Sequence, residues 1–298
     1  MECWVNLLIR LYIVSLSVAR CSFSCTLTPI FIIMEQSLYI SKTANLKYFN
    51  QEFSRLYFGM EFCERLLPSP SQLKKALSFA QENDLDFTMV TPYVTNSGLK
   101  KVENLIILLS ELNPDSEIVF NDWGVFHFIK ENDYPLKPVL GRLLNKMKRG
   151  PRIINIKEKI PATSFEYFMT PNLSIPEIQE FLIKNGIKRV EFDNLIQGLN
   201  LKGISSELHL SLYLPFAYIT TTRFCLMSSI NNPEEMKIGV LPCKKECQQY
   251  AFRLLNPVMT TPLIRKGNTI FLNNEQIPYE LIREKKIDRI VVEPEVPL

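Results

Sequence analysis

The chain has 298 residues, 46% of them hydrophobic and 22% charged, with 34 basic against 31 acidic residues and a formal net charge of +3. That length suits one large domain or two medium ones around a sizeable core, and the absence of any low-complexity run argues against a long disordered region. So small a net charge excludes a strong field favouring nucleic acid or an anionic membrane, and the short basic stretch Lys146, Lys148, Arg149 and Arg152 reads as a solvated loop.

Residues 1–33 stand apart as a leader, almost devoid of charge and followed by a second methionine, Met34. A membrane span needs about 20 uninterrupted apolar residues, but Arg10 and Arg20 divide this stretch and Pro29 breaks its end. A secretory signal wants a positive start and an uncharged apolar core, and Glu2 and Arg10 meet neither condition. An upstream start codon, a signal and an anchor therefore all remain open for 1–33, and residues 34–298 are expected to form a single domain in the cytoplasm.

From residue 56 onward, strand-like and helix-like stretches alternate. LYFGMEF (56–62) reads as a strand ending at Cys63, and SPSQLKKALSFAQEND (69–84) as a helix with Leu73, Ala76, Leu77 and Ala80 on one face. DFTMVTPY (86–93), EIVFND (117–122), RVEFDN (189–194), ELHLSLYLPF (207–216), NTIFLNNEQI (268–277) and DRIVVEP (288–294) are further strands. Helices fall at 99–113, 123–132, 174–186 and 278–286. KPVLGRLLN (137–145) precedes a polar insertion punctuated by prolines. The repeat, roughly thirty residues long, is that of a βαβ unit. The predicted fold is thus α/β, a complete or distorted TIM-like barrel with a cysteine-bearing loop region toward its C-terminal side. An open doubly wound sheet is the alternative, but GMEFCER stands where a glycine-rich phosphate fingerprint would follow the first strand.

In either architecture the site forms where parallel strands end. Cys63 lies at such an end, Cys225 follows the predicted 207–216 strand within the threonine-rich loop AYITTTR, and Cys243 and Cys247 sit on the same excursion. These last two share a face if that turn is helical. Disulfides are disfavoured in a large domain without a clear export signal. Spacing alone leaves a zinc site and an iron–sulfur site even, and burial of all four as small hydrophobes remains a further reading. A catalytic thiol needs a base, and the chain has two histidines. Of these, His209 reads as a core histidine within an apolar strand. Cys3, Cys21 and Cys25 lie in the leader and receive no role.

YFGMEFCERLLPSPSQL, FNDWGVF, PVLGRLLNKMKRGPR, TTTRFCLMSS and LPCKKEC together resemble peptidase family U-32, and within it the UbiV-type subgroup, from about residue 55 to the end. The resemblance implies a TIM-like barrel carrying one [4Fe-4S] cluster on an isolated first cysteine and a C-x16-18-C-x3-C set. Position by position this pattern falls on Cys63, Cys225, Cys243 and Cys247, where the spacing is C-x17-C-x3-C. It further implies a component of oxygen-independent hydroxylation, as in ubiquinone synthesis, working with a sister protein of the same family on a small-molecule or RNA substrate. The Glu-x-Phe-x-x-Gly box of the collagenase-like branch is absent, so proteolysis is the alternative and a zinc-bound structural subunit a further one. Whether the chain is itself an enzyme stays open.

Asn121, Asp122, Arg142 and Asp193, with Asn194 beside it, stand at predicted strand ends as candidate substrate-contacting residues. Each also has a structural reading: Asn and Asp cap helices, and Arg142 and Asp193 suit an ion pair. Arg223 and Lys244 are candidate charges tuning the thiol site.

Overall fold

The computed structural model describes residues 34–230, 243–259, 261–284 and 286–298. The leader 1–33 lies outside these residues, and Glu35–Leu298 forms one compact unit. Among the described residues no helix is long and apolar enough to cross a membrane.

Eight parallel strands close into a barrel: β1 (Glu35–Ile40), β2 (Arg55–Gly59), β3 (Asp86–Val90), β4 (Glu117–Phe120), β5 (Lys137–Leu140), β6 (Arg189–Asp193), β7 (His209–Leu214) and β12 (Arg289–Val292), with β12 joining β7 to β1. The outer helices are α1 (Pro70–Glu82), α2 (Asn96–Leu112), α3 (Trp123–Glu131), α4 (Ala162–Met169), α5 (Pro176–Lys184) and α6 (Tyr279–Arg283). α1 begins where its sequence says it should, because Ser69 and Gln72 form a reciprocal capping box ahead of Pro70. Its buried face is Leu73, Ala76, Leu77 and Ala80, as the 3.6-residue period requires.

Both faces of the barrel strands are covered, so all five residues of β2 are buried. The interior is layered. Tyr39, Tyr57, Val90, Val119, Val139, Tyr213 and Val291 form one apolar level drawn from seven strands. Below it, Arg55, Arg189 and Arg289 open β2, β6 and β12 and mesh with acidic side chains. Arg289 donates to Glu35 at 2.7 Å and to Glu117 at 2.5 Å, Arg55 to Asp86 at 2.8 Å, and Arg189 to Asp288 at 2.6 Å. The amino-terminal end of the barrel is thus closed by charge pairs.

A second, antiparallel sheet follows the order β8 (Phe216–Thr221), β11 (Thr269–Asn273), β10 (Leu263–Lys266), β9 (Phe252–Leu254). It lies over the carboxyl-terminal mouth, where Tyr218 and Phe271 pack with Met60, Phe62, Leu143 and Leu298.

Several sequence expectations change here. The predicted 207–216 strand is two strands in two sheets, broken at Pro215, which has no N–H to continue the ladder. The AYITTTR stretch is accordingly mostly strand β8 rather than loop, and 268–277 contributes β11 to the second sheet. Strand β1, apolar on its inner half, was not predicted, nor were the short β9 and β10. His209 is exposed at the amino-terminal rim, with Nδ1 2.6 Å from Asp288, rather than in the core. Arg149 is not solvated: it turns inward and pairs with Asp193, only 8% of its side chain exposed.

Candidate functional site

The residues at the carboxyl-terminal ends of the barrel strands are spent on one another. Arg142, just beyond β5, has no exposed side-chain surface. It bonds Glu61 through Nε at 3.0 and 2.9 Å, Asp193 through Nη1 at 3.0 Å and Glu293 through Nη2 at 2.6 Å. Its guanidinium also stacks 3.9 Å from the Tyr213 ring centroid. Arg149 stacks 3.7 Å over Tyr218, whose backbone N–H donates to Asp193 at 3.0 Å. Burial drives the Glu61 and Glu293 carboxyls upward, against the pull of Arg142. The second sheet roofs this cluster, so Arg142 and Asp193 form a buried ion pair at the barrel mouth.

Asn121 and Asp122 are also engaged. Asn121 donates to the Thr91 carbonyl at 3.0 Å and accepts from the Leu143 N–H at 3.0 Å. Asp122 caps α3 by accepting from Gly124 N–H at 2.8 Å, and ties in Val94 N–H at 3.1 Å. Asn194 donates to the carbonyls of Asn274 and Gln276 at 3.2 and 2.6 Å. Glu61, Glu293 and Arg149 belong to this cluster and were not foreseen, because nothing in their local sequence marks partners tens to hundreds of positions away.

The four described cysteines lie above this plug, on loops and 3-10 turns, and none is in a disulfide. Cys63 packs at the edge of the cap core, and Cys247 is buried. Burial, joined by the neighbouring Cys247, Cys243 and Cys225, pushes the Cys63 thiol up to about 11. Burial raises Cys225 as well.

N–H groups lie beside the sulfurs: Cys243 accepts from the Lys245 N–H at 3.3 Å and Cys247 from the Gln248 side-chain amide at 3.4 Å. The backbone N–H groups of Arg65, and of Met227 and Ser228, draw the Cys63 and Cys225 thiols down against the larger upward push of burial. Three of these donors sit two residues after the cysteine, an arrangement that stabilises negative charge on sulfur. Cys243 and Cys247 flank a left-handed Lys245 rather than sharing a helical face, since the 3-10 turn begins only at Glu246. Among the described residues no group of three Cys, His, Asp or Glu side chains is gathered closely enough to hold a metal ion as it stands. The donor set, four free thiols furnished with N–H groups, nonetheless has the chemistry of a zinc or iron–sulfur ligand set.

Arg223 donates to the Val94 carbonyl at 3.1 Å and lies over the Tyr93 ring, while Lys244 is exposed. His127 pairs with Glu131 on the surface of α3, and His209 lies at the opposite rim, so neither forms a thiol–imidazole dyad.

A closed parallel barrel roofed by a second, antiparallel sheet, with four cysteines on the adjoining loops and turns, is the class this geometry defines. No family model matches the chain and no curated protein matches its sequence. Among solved structures it is similar to the U32 peptidase Mk0906, at 11% identity over 95% of this chain and 98% of that one, with a TM-score of 0.45. It is also similar to the spore cortex-lytic enzyme SleL of Bacillus megaterium QM B1551, at 13% identity over 87% and 70% of the two chains, TM-score 0.37. Human YKL-39, a pseudo-chitinase with retained chitooligosaccharide binding properties, is similar at 10% identity over 87% and 92%, TM-score 0.35. Scores this low carry no argument, and the barrel rests on its own strand pairing.

Proposed function

We propose that the chain is a U-32-type protein of the UbiV kind, in which Cys63, Cys225, Cys243 and Cys247 hold a [4Fe-4S] cluster and which serves oxygen-independent hydroxylation beside a sister subunit. What supports the reading is that Cys63, Cys225, Cys243 and Cys247 are all free of disulfides and have N–H groups of neighbouring residues beside them. A bound cluster would supply one-electron transfer. The chain itself contributes the N–H groups that favour thiolate, the apolar cap core that limits water at Cys63 and Cys247, and a rigid ion-paired plug beneath. The Arg142 cluster supports the scaffold in this reading and leaves substrate contacts to the outer side of the roof.

A structural zinc ion is the second reading, because a four-thiol donor set suits it equally. Among the described residues proteolysis finds no supporting constellation, since His127 and His209 lie away from the described thiols. The test is anaerobic purification of the full chain, wild type and Cys243→Ala, with iron, sulfide and zinc analysis and a visible spectrum. About four irons per chain, lost in the variant, is the expected result. One zinc per chain transfers the site to the structural reading, and metal-free protein in both overturns it.

A further inference from the structure

Three of the four thiol-bearing segments meet at one two-residue turn. Gly267 and Asn268 join β10 to β11, and Lys266 and Thr269 pair directly across them. The Asn268 side chain, 7% exposed, aims its amide group at three acceptors. These are the Phe62 carbonyl at 2.7 Å, the Thr222 carbonyl at 2.7 Å and the Tyr93 hydroxyl at 2.9 Å. Its Oδ1 accepts from the Thr269 hydroxyl at 3.2 Å. Phe62 immediately precedes Cys63, and Thr222 lies at the end of β8 just ahead of Cys225.

Gly267 completes the junction. Its N–H donates to the Met227 sulfur at 3.0 Å, two positions beyond Cys225. Its φ of +57° is the left-handed region, and a methyl group there would stand 3.3 Å from the Cys247 Cβ. The turn therefore touches the Cys63, Cys225 and Cys247 segments at once. It does so through amide, carbonyl and packing contacts that involve no cysteine sulfur.

We infer that the Gly267–Asn268 turn is a preorganising clamp for the thiol site: Asn268 is a positioning residue that ties the Cys63 segment to the Cys225 segment, and Gly267 is the space that lets Cys247 close against them. A site ordered at folding does not incur that ordering cost on binding. What the clamped thiols hold rests on the four-thiol reading above; their proximity in the metal-free chain does not.

The experiment treats metal-free full-length protein with a short bifunctional thiol reagent, maps the bridged pairs by mass spectrometry, and measures metal content after reconstitution in parallel. Wild type is expected to give Cys63–Cys225 and Cys225–Cys247 bridges. Asn268→Ala, which removes the side-chain bonds to both the Phe62 and the Thr222 carbonyls, should lose the first by at least about fivefold, roughly the effect of a single buried hydrogen bond, while keeping the second. Gly267→Ala should do the reverse, and both should keep wild-type far-ultraviolet circular dichroism. General destabilisation would lower both bridges together, so the split is the signature. Folded variants that bridge like wild type overturn the clamp. Should a variant not fold, the wild type decides alone: the Cys63–Cys225 bridge supports the clamp and its absence overturns it. Wild type that bridges yet takes up neither iron nor zinc sustains the clamp and removes the metal reading. Wild type that binds metal but does not bridge when metal-free does the opposite.

Discussion

Arg142 and Asp193 face each other at 3.0 Å with neither side chain exposed to solvent, and the same guanidinium holds Glu61 and Glu293. Three carboxyl groups thus share Arg142 at the barrel mouth, and Arg149 gives Asp193 a second cation. Removing one partner of a buried pair leaves uncompensated charge, which costs about 3–5 kcal/mol. Arg142→Met is therefore expected to lower unfolding free energy by about that much in urea titrations at neutral pH. Arg142→Lys should recover less than half of the loss, because an ammonium cannot reproduce the fork that meets several carboxylates at once. A loss below about 1 kcal/mol in Arg142→Met would contradict the plug.

Glu191 gives the fold a pH dependence. It is fully buried among Tyr57, Arg289, Arg189 and Glu117, and burial, the largest influence, pushes its carboxyl up to about 7 from 4.5. The folded chain then binds a proton that the unfolded chain has lost, so stability falls as pH rises from 4.5 to about 7 and is level above that. That span corresponds to about 3 kcal/mol. Glu117 acts oppositely: burial opposes its charge, but Arg289, Arg55 and Arg189 outweigh it and hold it at about 2. Its contribution is present above 4.5 and is lost as pH falls toward about 2. Urea midpoints measured from pH 4 to 8 should show the decline above pH 5 in wild type and a flatter profile in Glu191→Gln.

Gly59 ends β2 with a φ of +143°, and a side-chain carbon there would lie 2.1 Å from the Val90 carbonyl oxygen. The clash is with backbone, so no rotamer relieves it. Gly59→Ala is expected to lose more than about 3 kcal/mol and to abolish soluble expression. A folded Gly59→Ala protein with a near-native melting temperature would show that β2 and β3 can part at this point.

Asp122 separates capping from chemistry. Its carboxylate caps α3 and binds Val94 N–H, so Asp122→Ala should cost about 1–2 kcal/mol, with Asp122→Asn nearly neutral. Metal content should be unchanged in both. Loss of metal in a stable Asp122→Asn protein would place this side chain in the thiol site instead.

The helices were the most legible elements. α1, α2 and α3 lie within a few residues of the predicted 69–84, 99–113 and 123–132, because capping residues and the 3.6-residue apolar period are local properties. The barrel followed from the alternation of those helices with uncharged strand runs. The roof did not, since β9 has three residues and β8 emerges only where Pro215 interrupts an otherwise continuous apolar run.

By itself, then, the sequence determined the α/β alternation and the helix faces, which depend on neighbours a few residues apart; it ran the strand before Cys63 to residue 62, whereas β2 ends at Gly59. Only the tertiary structure decided that Arg142 and Asp193 neutralise each other beneath a second sheet, that Arg149 turns inward, and that Gly267 and Asn268 knit the thiol segments together. Arg289 meets Glu35 across 254 positions and Asn268 meets Phe62 across 206. Pairings at such separations depend on which strands the closed barrel and its roof bring side by side, a global outcome that no local spacing encodes.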